Sequence, residues 1–337
     1  MNNVLLTGAT SFLGYHVAKR LNQQGILPRV IELPGANLAP LADLKVERFT
    51  GSLDEARATE QACDGIDTLF HTAFKVSVGG GESEVEEMRR INVDGTLRLL
   101  DIGAAKGVSR AVVTGSALAV GVNRRPQPLD ETADAAEHAF DFPYAAIRKR
   151  AEQEALARSR QGFAVVSVAP SFTFGPDDPV GAPANKLVKA VITRKMPITL
   201  TVGFGCLDVR DFATGTVLAA ERGTPGRRYL LSGENVTANQ LLEQLASLAG
   251  VKVPRREPPL FLLRLAIAAV EILSALRRKP PPVTRSVLQI VNRYAWYDTT
   301  RARTELGWSP RPLRETLDDT IRWLREHEAR PGGAARS

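Results

Sequence analysis

The chain begins with Val4-Leu5-Leu6-Thr7-Gly8-Ala9-Thr10-Ser11-Phe12-Leu13-Gly14, and this stretch restricts the fold more than any other. Val4 to Leu6 read as a short buried strand, and Val17, Ala18 and Leu21 then recur at helical spacing. A strand, a glycine turn and a helix in that order build a phosphate site. Gly8 permits the sharp turn, Gly14 permits close helix–strand packing, and the first-turn N–H groups of the helix face the anion. The middle position of Gly8-x-x-Ser11-x-x-Gly14 is a serine, small enough for close approach, with a hydroxyl that reads as a phosphate donor.

Apolar strands and helical patterns alternate behind this turn. Strands are predicted at Arg29 to Leu33, Val46 to Phe49, Asp67 to Ala73, Ala111 to Thr114 and Ala164 to Ala169. Helices are predicted at Leu53 to Ala62, Glu84 to Lys106 and Phe140 to Arg160, with a polar loop at Gly79 to Gly81. That rhythm implies an α/β fold, a doubly wound parallel sheet covered on both faces. From Pro170 onward prolines punctuate loops, short strands are expected at Ile198 to Val202 and Tyr229 to Leu231, and helices at Thr237 to Ala249 and Leu260 to Leu276. The expected division is a nucleotide-binding domain over 1–169, a smaller lobe over 170–328 and a disordered tail over 329–337, with a later strand near 198–213 joining the first sheet.

Charge and cysteine content narrow the function classes. The net charge of +7 suits an anionic ligand or an acidic surface, but the arginines are scattered without interleaved aromatics, so nucleic acid is not expected as a partner. Cys63 and Cys206 are far apart and lack metal-ligand spacing, which fits a reducing compartment. His16, His71, His138 and His327 are too dispersed for a metal site. No signal peptide is expected before the first strand, and the apolar run Pro259 to Leu276 is broken by Arg264 and Glu271, so the chain is expected to be cytoplasmic.

Several residues carry chemistry. Glu32, at the end of the second strand, is placed to accept hydrogen bonds from ribose hydroxyls and to repel a 2′-phosphate, which leans the cofactor toward NAD. Arg29 nearby keeps NADP open. Ser116 follows the fifth strand, at the strand end where open α/β sheets bind ligands. Tyr144 opens a helix whose next turn carries Arg148, and a cation at i+4 favours the phenolate, drawing the tyrosine toward use as a proton donor or acceptor.

In these motifs the chain resembles the extended short-chain dehydrogenases/reductases of the NAD-dependent epimerase/dehydratase superfamily. It is closest in flavour to their dihydroflavonol-reductase-like and 3β-hydroxysteroid-dehydrogenase-like branch. The resemblance is carried by Thr7-Gly8…Gly14, Phe70-His71-Thr72-Ala73, Asn92-Val93-Asp94-Gly95-Thr96, Ser116, Tyr144, Ala169-Pro170-Ser171…Phe174-Gly175-Pro176, Arg227 to Asn235 and Ala302 to Pro310. It implies a Rossmann-type sheet with a C-terminal substrate lobe, and NAD or NADP held by Thr7, Gly8, Thr10, Ser11, Phe12, Leu13, Gly14, Glu32, Leu53, Thr72, Ala73, Thr114, Tyr144, Arg148 and Pro170. It further implies Ser116, Tyr144, Arg148 and Asn92 as the catalytic set, and Phe74, Lys75, Ser116, Ala117, Ser171, Phe172 and Phe204 around the substrate. A homodimer through the helices at 84–106 and 140–160 is the family's analogy.

Three departures shape the expectation. Tyr-x-x-x-Lys is here Tyr144-x-x-x-Arg148 with Lys149 next, which keeps the charge but loses any lysine-linked proton relay. Ser11 replaces the central glycine, and Ser52 stands where an adenine-contacting aspartate is common. Phe204 occupies the place of the arginine that holds sugar-nucleotide phosphates, which argues against a nucleotide sugar. The expected activity is hydride transfer between nicotinamide and a secondary alcohol or ketone on a largely apolar molecule. Arg148 would hold the nicotinamide ribose. The alternatives are an epimerase or dehydratase using NAD transiently, and a cofactor-binding protein of low activity. The apolar segment 259–276, followed by Arg277-Arg278-Lys279, is read as a lobe helix packed against the sheet domain, with an interfacial helix on anionic lipid as the rival.

Overall fold

The computed structural model describes residues 1–76, 81–133, 142–195, 199–253, 259–276 and 291–328. The expected tail at 329–337, the residues Gly79 and Gly80, the predicted helix start at Phe140, Ile198 and the basic run 277–279 lie outside the described residues.

The first strand β1 (Val4–Thr7) is buried along its whole length, and so is β4 (Thr68–His71) beside it. With β2 (Arg29–Glu32), β3 (Glu47–Thr50), β5 (Arg110–Thr114), β6 (Ala164–Pro170) and β9 (Arg228–Leu231) they form a seven-stranded parallel sheet, in the order β3-β2-β1-β4-β5-β6-β9. The order reverses between β1 and β4, which opens a crevice at their carboxyl ends for a nucleotide.

Each face is covered by helices whose apolar stripe the sequence sets. One face carries α1 (Phe12–Gln23) and a later helix, α7 (Val209–Arg222). They pack through Val17, Ala18, Leu21, Phe212, Ala213 and Val217 over β1, β5 and β6. The other face carries α2 (Ala56–Cys63), α4 (Thr96–Ala105) and α5 (Pro143–Leu156), over Leu5, Leu69, Ala111 and Val165. The helix expected from Glu84 to Lys106 is α3 (Glu82–Arg89), a π-helical turn (Arg90–Gly95) and α4 in direct succession. Such turns widen a helix and turn side chains out of its regular face. Met88 and Val93 pack there against Ile147 and Ala151 of α5.

The second lobe has its own small sheet. β8 (Val202–Asp208) pairs with β7 (Phe172–Phe174), β10 (Asn235–Thr237) and β11 (Arg293–Ala295). Helices α6 (Pro183–Ile192) and α8 (Ala238–Ala249) cover it, together with the last helix (Leu313–Glu328), which follows α9 (Leu260–Leu276) and α10 (Thr300–Leu306) and is α11. The seventh strand of the nucleotide sheet is therefore β9, and the segment near 198–213 belongs instead to the second sheet and to α7. The chain leaves the first unit after β6 and returns to it with α7 and β9, so residue 170 is no clean border.

Candidate functional site

The turn after β1 is built by its own hydrogen bonds. Gly8 has φ +71°, and a Cβ there would lie 2.7 Å from the backbone of Ala73; a Cβ on Gly14 would lie 2.0 Å from the Gly8 carbonyl oxygen. Both positions need glycine because backbone occupies the space. Ser11 is the N-cap of α1: its hydroxyl donates to Gly8 O at 2.7 Å and accepts from Gly14 N–H at 3.1 Å. The expectation that this hydroxyl donates to a phosphate is corrected, since its proton is already used within the turn. What the helix end leaves for an anion are the N–H groups of Phe12 and Leu13.

Glu32 sits at the end of β2, beside this turn. Its carboxylate accepts from Thr10 N–H at 3.2 Å and Thr10 Oγ1–H at 3.1 Å. Burial raises its pKa, with the Thr10 bonds pulling the other way. Arg29 is at the opposite end of the same strand and donates to Glu47 and to the carbonyls of Ala62 and Asp64. It does not face the turn. Leu53 lies in the turn before α2, partly buried against the second core, and its carbonyl accepts from Arg98.

On β4 a buried chain of polar groups runs across the crevice. Thr72 Oγ1 donates to Thr7 O at 2.6 Å, and Ala73 N–H donates to Thr7 Oγ1 at 3.3 Å. Thr96 Oγ1 donates to Asn92 O at 2.7 Å, so it must accept from His71 Nε2–H at 2.8 Å. His71 Nδ1 is then an acceptor for the Thr7 hydroxyl at 2.7 Å. Burial, with Arg148 adding repulsion, pushes the His71 pKa down to about 3. The chain ends at Asn92 in the π turn, whose amide grips Lys75 at both its N–H and its carbonyl, each at 2.8 Å. The Lys75 side chain, expected at the substrate, pairs instead with Glu87.

Ser116 and Arg148 meet at the carboxyl end of β5, with Tyr144 one turn before Arg148 on α5 and Asn92 apart from them in the π turn. Tyr144 follows Pro143 at the start of α5, half-buried, with its ring edge-on to Phe142 at 6.1 Å between centroids. Arg148, one turn on, is fully buried. Its Nη2 donates to the carbonyls of Thr114 and Gly115, the latter at 2.9 Å, and its guanidinium stacks 4.4 Å from the centre of the Phe74 ring. Burial lowers its pKa, while Tyr144 and Glu152 act electrostatically in the other direction. The expectation that this guanidinium reaches toward a ribose is thus corrected for Nη2, which two main-chain oxygens occupy. Ser116 is buried in extended conformation before a short turn (Ala117–Ala119) and does not cap it.

Among the described residues five buried polar side-chain atoms lack a partner, and four of them lie at strand ends: Arg148 Nε and Thr114 Oγ1 at β5, Ser171 Oγ just beyond Pro170 and Ser232 Oγ just beyond β9; the fifth, Arg20 Nε, is on α1. Stranded donors of this kind cost free energy unless something pairs them, so a bound polar molecule fits here. In the second lobe, Phe172 and Phe204 stack at 5.1 Å, partly exposed, at the edge of the lobe's core. Among the described residues no group of three or more His, Cys, Asp or Glu side chains is arranged to hold a metal.

Sequence reasoning missed Glu152, one turn beyond Arg148 on α5. Its carboxylate accepts from the Ser167 hydroxyl on β6 and from Arg228 Nε on β9 at 2.7 Å. A Cβ on Gly115 would come within 2.5 Å of it. The i+4 spacing from Arg148 was the signal that pointed to it.

Similarity to known proteins gives the family. The family model "NAD dependent epimerase/dehydratase family" matches residues 4–232. The chain belongs to that family. Along 96% of its length it is 31% identical to a putative dihydroflavonol 4-reductase from Synechocystis sp., of which 94% is covered. It is 29% identical to sterol demethylase protein B from Methylococcus capsulatus, over 96% of this chain and 98% of that one. A 3β-hydroxysteroid dehydrogenase/Δ5→4-isomerase from Mycobacterium tuberculosis matches at 27% identity, over 92% of this chain and 86% of the relative. The crystal structure of gox2253 superposes with a TM-score of 0.83 at 30% identity, covering 97% of this chain and 99% of that one. The protein is an NAD(P)-dependent oxidoreductase of the extended short-chain type.

Proposed function

We propose that the protein interconverts a ketone and a secondary alcohol on a largely apolar small molecule, with NAD as the preferred cofactor. The observation that carries this reading is the placement of Tyr144 and the buried Arg148 one turn apart on α5, with the guanidinium seated on the end of β5 beside Ser116. The nicotinamide would supply or accept the hydride. Thr7 to Gly14 and Glu32 would hold the adenosine and phosphate half, and Thr72, Ala73, Thr114 and Pro170 would line the path to the reacting end.

In this reading Tyr144 passes a proton to or from the substrate oxygen, and the Ser116 hydroxyl polarises that oxygen. Arg148, its Nη2 spent on carbonyls, acts through the positive charge it places one turn from Tyr144, while Nε is the donor left for a ribose. Asn92 fixes the Lys75 backbone next to Phe74, and so the ring that covers Arg148. Ala117, Ser171, Phe172 and Phe204 would meet the substrate, and the aromatic pair suits an apolar body. NAD is supported by Glu32 facing the turn and by the lack of any lysine or arginine between residues 30 and 44. A homodimer through the outer faces of α3–α4 and α5, and a cytoplasmic location, complete the proposal.

The test is Tyr144→Phe assayed with NADH and a panel of apolar ketones. We expect kcat to fall by roughly 10²-fold or more, with a much smaller change in cofactor affinity. Undiminished turnover would remove the proton-transfer role. Tightly retained NAD with no net nicotinamide consumption would move the reading to an epimerase or dehydratase.

A further inference from the structure

The helix α9 is read from its sequence as a lobe helix packed on the sheet domain, yet it leaves a long apolar strip uncovered. Eight large apolar side chains stand exposed among the described residues, and four are on this one helix: Phe261 at 62%, Leu262 at 47%, Leu265 at 64% and Leu273 at 46%. Phe261, Leu265, Ala269 and Leu273 are spaced by four, so with Leu262 they run about 18 Å along one side. Ile267 and Ser274, which are buried, fall on the opposite side. Arg264 stands exposed at the margin of the strip. The helix therefore has an inner face that docks and an outer face that does not.

Charge identifies what the outer face suits. From Lys252 to Arg285 the sequence has eight basic residues and only two acidic ones, Glu257 and Glu271, so this stretch carries six of the chain's seven net positive charges. An apolar strip within a segment of concentrated positive charge complements an anionic bilayer surface, where side chains enter the acyl boundary and cations meet the head groups. A second copy of the chain would bring the same positive charge against itself. No helix among the described residues is long and apolar enough to cross a membrane.

We infer that α9 is a docking surface for an anionic lipid bilayer, lying in the interface plane with Phe261, Leu262, Leu265 and Leu273 inserted. The contact is reversible and strongest at low ionic strength.

The test is flotation of the full chain with vesicles of phosphatidylcholine alone and of phosphatidylcholine mixed with phosphatidylglycerol. Wild type should float with the mixed vesicles and much less with the neutral ones, and added salt should weaken the association. Phe261→Glu with Leu265→Glu should lower vesicle affinity by about tenfold or more at unchanged thermal stability, because both side chains are already exposed. Replacing Arg277, Arg278 and Lys279 by glutamine should weaken binding to mixed vesicles only. Failure of wild type to float would overturn the proposal. So would a Phe261/Leu265 variant that floats normally, or one that merely turns a soluble dimer into a monomer while wild type ignores vesicles.

Discussion

His71 shows how much one side chain can fix here. Its two ring nitrogens are assigned by the groups around them, Nδ1 accepting from Thr7 and Nε2–H donating to Thr96, and through Thr96 the link passes to Asn92. The imidazole thus joins the start of the phosphate turn to the π turn beside the reacting end. It must be neutral to do so. A pKa pushed down to about 3, and a second buried histidine, His16, held at about 4, both lie below the ordinary value of 6.5. The unfolded chain therefore binds protons that the folded chain refuses. Stability from these two groups is full above about pH 6.5 and falls as pH drops below it, by up to about 1.4 kcal/mol per pH unit for each histidine. We expect urea denaturation to show a clear loss between pH 7 and pH 5.5, and His71→Gln to remove about half of that slope. A flat profile would mean that neither ring is buried in its neutral form.

Among the elements, the strand–turn–helix at the N-terminus was the most legible, because its glycines are forced by backbone contacts and its serine by a cap. Gly14→Ala drives a Cβ into the Gly8 carbonyl and should abolish cofactor binding, read by loss of NADH fluorescence enhancement. Ser11→Ala removes one cap bond and should cost about 1 kcal/mol of stability. If Ser11→Ala left stability intact and weakened NADH binding tenfold, the hydroxyl would serve the phosphate after all. The parallel strands were legible for a similar reason, as buried apolar runs between helical periods. Period says nothing about pairing partners, however, and a four-residue strand such as β9 carries too little signal to announce which sheet it joins. In the same way, sequence spacing placed Arg148 one turn after Tyr144, but only tertiary packing decided that its donors meet main-chain carbonyls under Phe74. Glu32 could be read because strand end and ligand coincide by topology; Lys75 could not, because Glu87 competes for it.

The whole molecule is held in register by chain segments that return across the cleft. Lys19 on α1 pairs with Asp177 beyond β7 at 2.8 Å, and His16 Nε2–H donates to Pro176 O at 3.0 Å. Tyr294 and Asn123 exchange backbone hydrogen bonds at 2.8 and 2.9 Å, tying β11 to the loop that follows Ser116. The deepest of these ties is Glu152 with Arg228 and Ser167, joining the helix of Tyr144 to the strand that comes back from the second lobe. Surface ion pairs contribute little, but here the carboxylate side chain is almost wholly buried and the guanidinium nearly so. Arg228→Leu leaves a buried charge without its cation, and should cost about 3 kcal/mol or more. Glu152→Gln on the same background removes that charge, so the double variant should recover part of the loss, and a urea-denaturation cycle should give a coupling above about 1 kcal/mol. The same cycle run on kcat tells whether the tie serves the chemistry. If β9 positions α5, Arg228→Leu lowers kcat by more than it raises KM for NADH, since the phosphate turn at the end of β1 is four strands away from β9 in the sheet. Additive losses in both stability and kcat would show instead that β9 only closes the edge of the sheet.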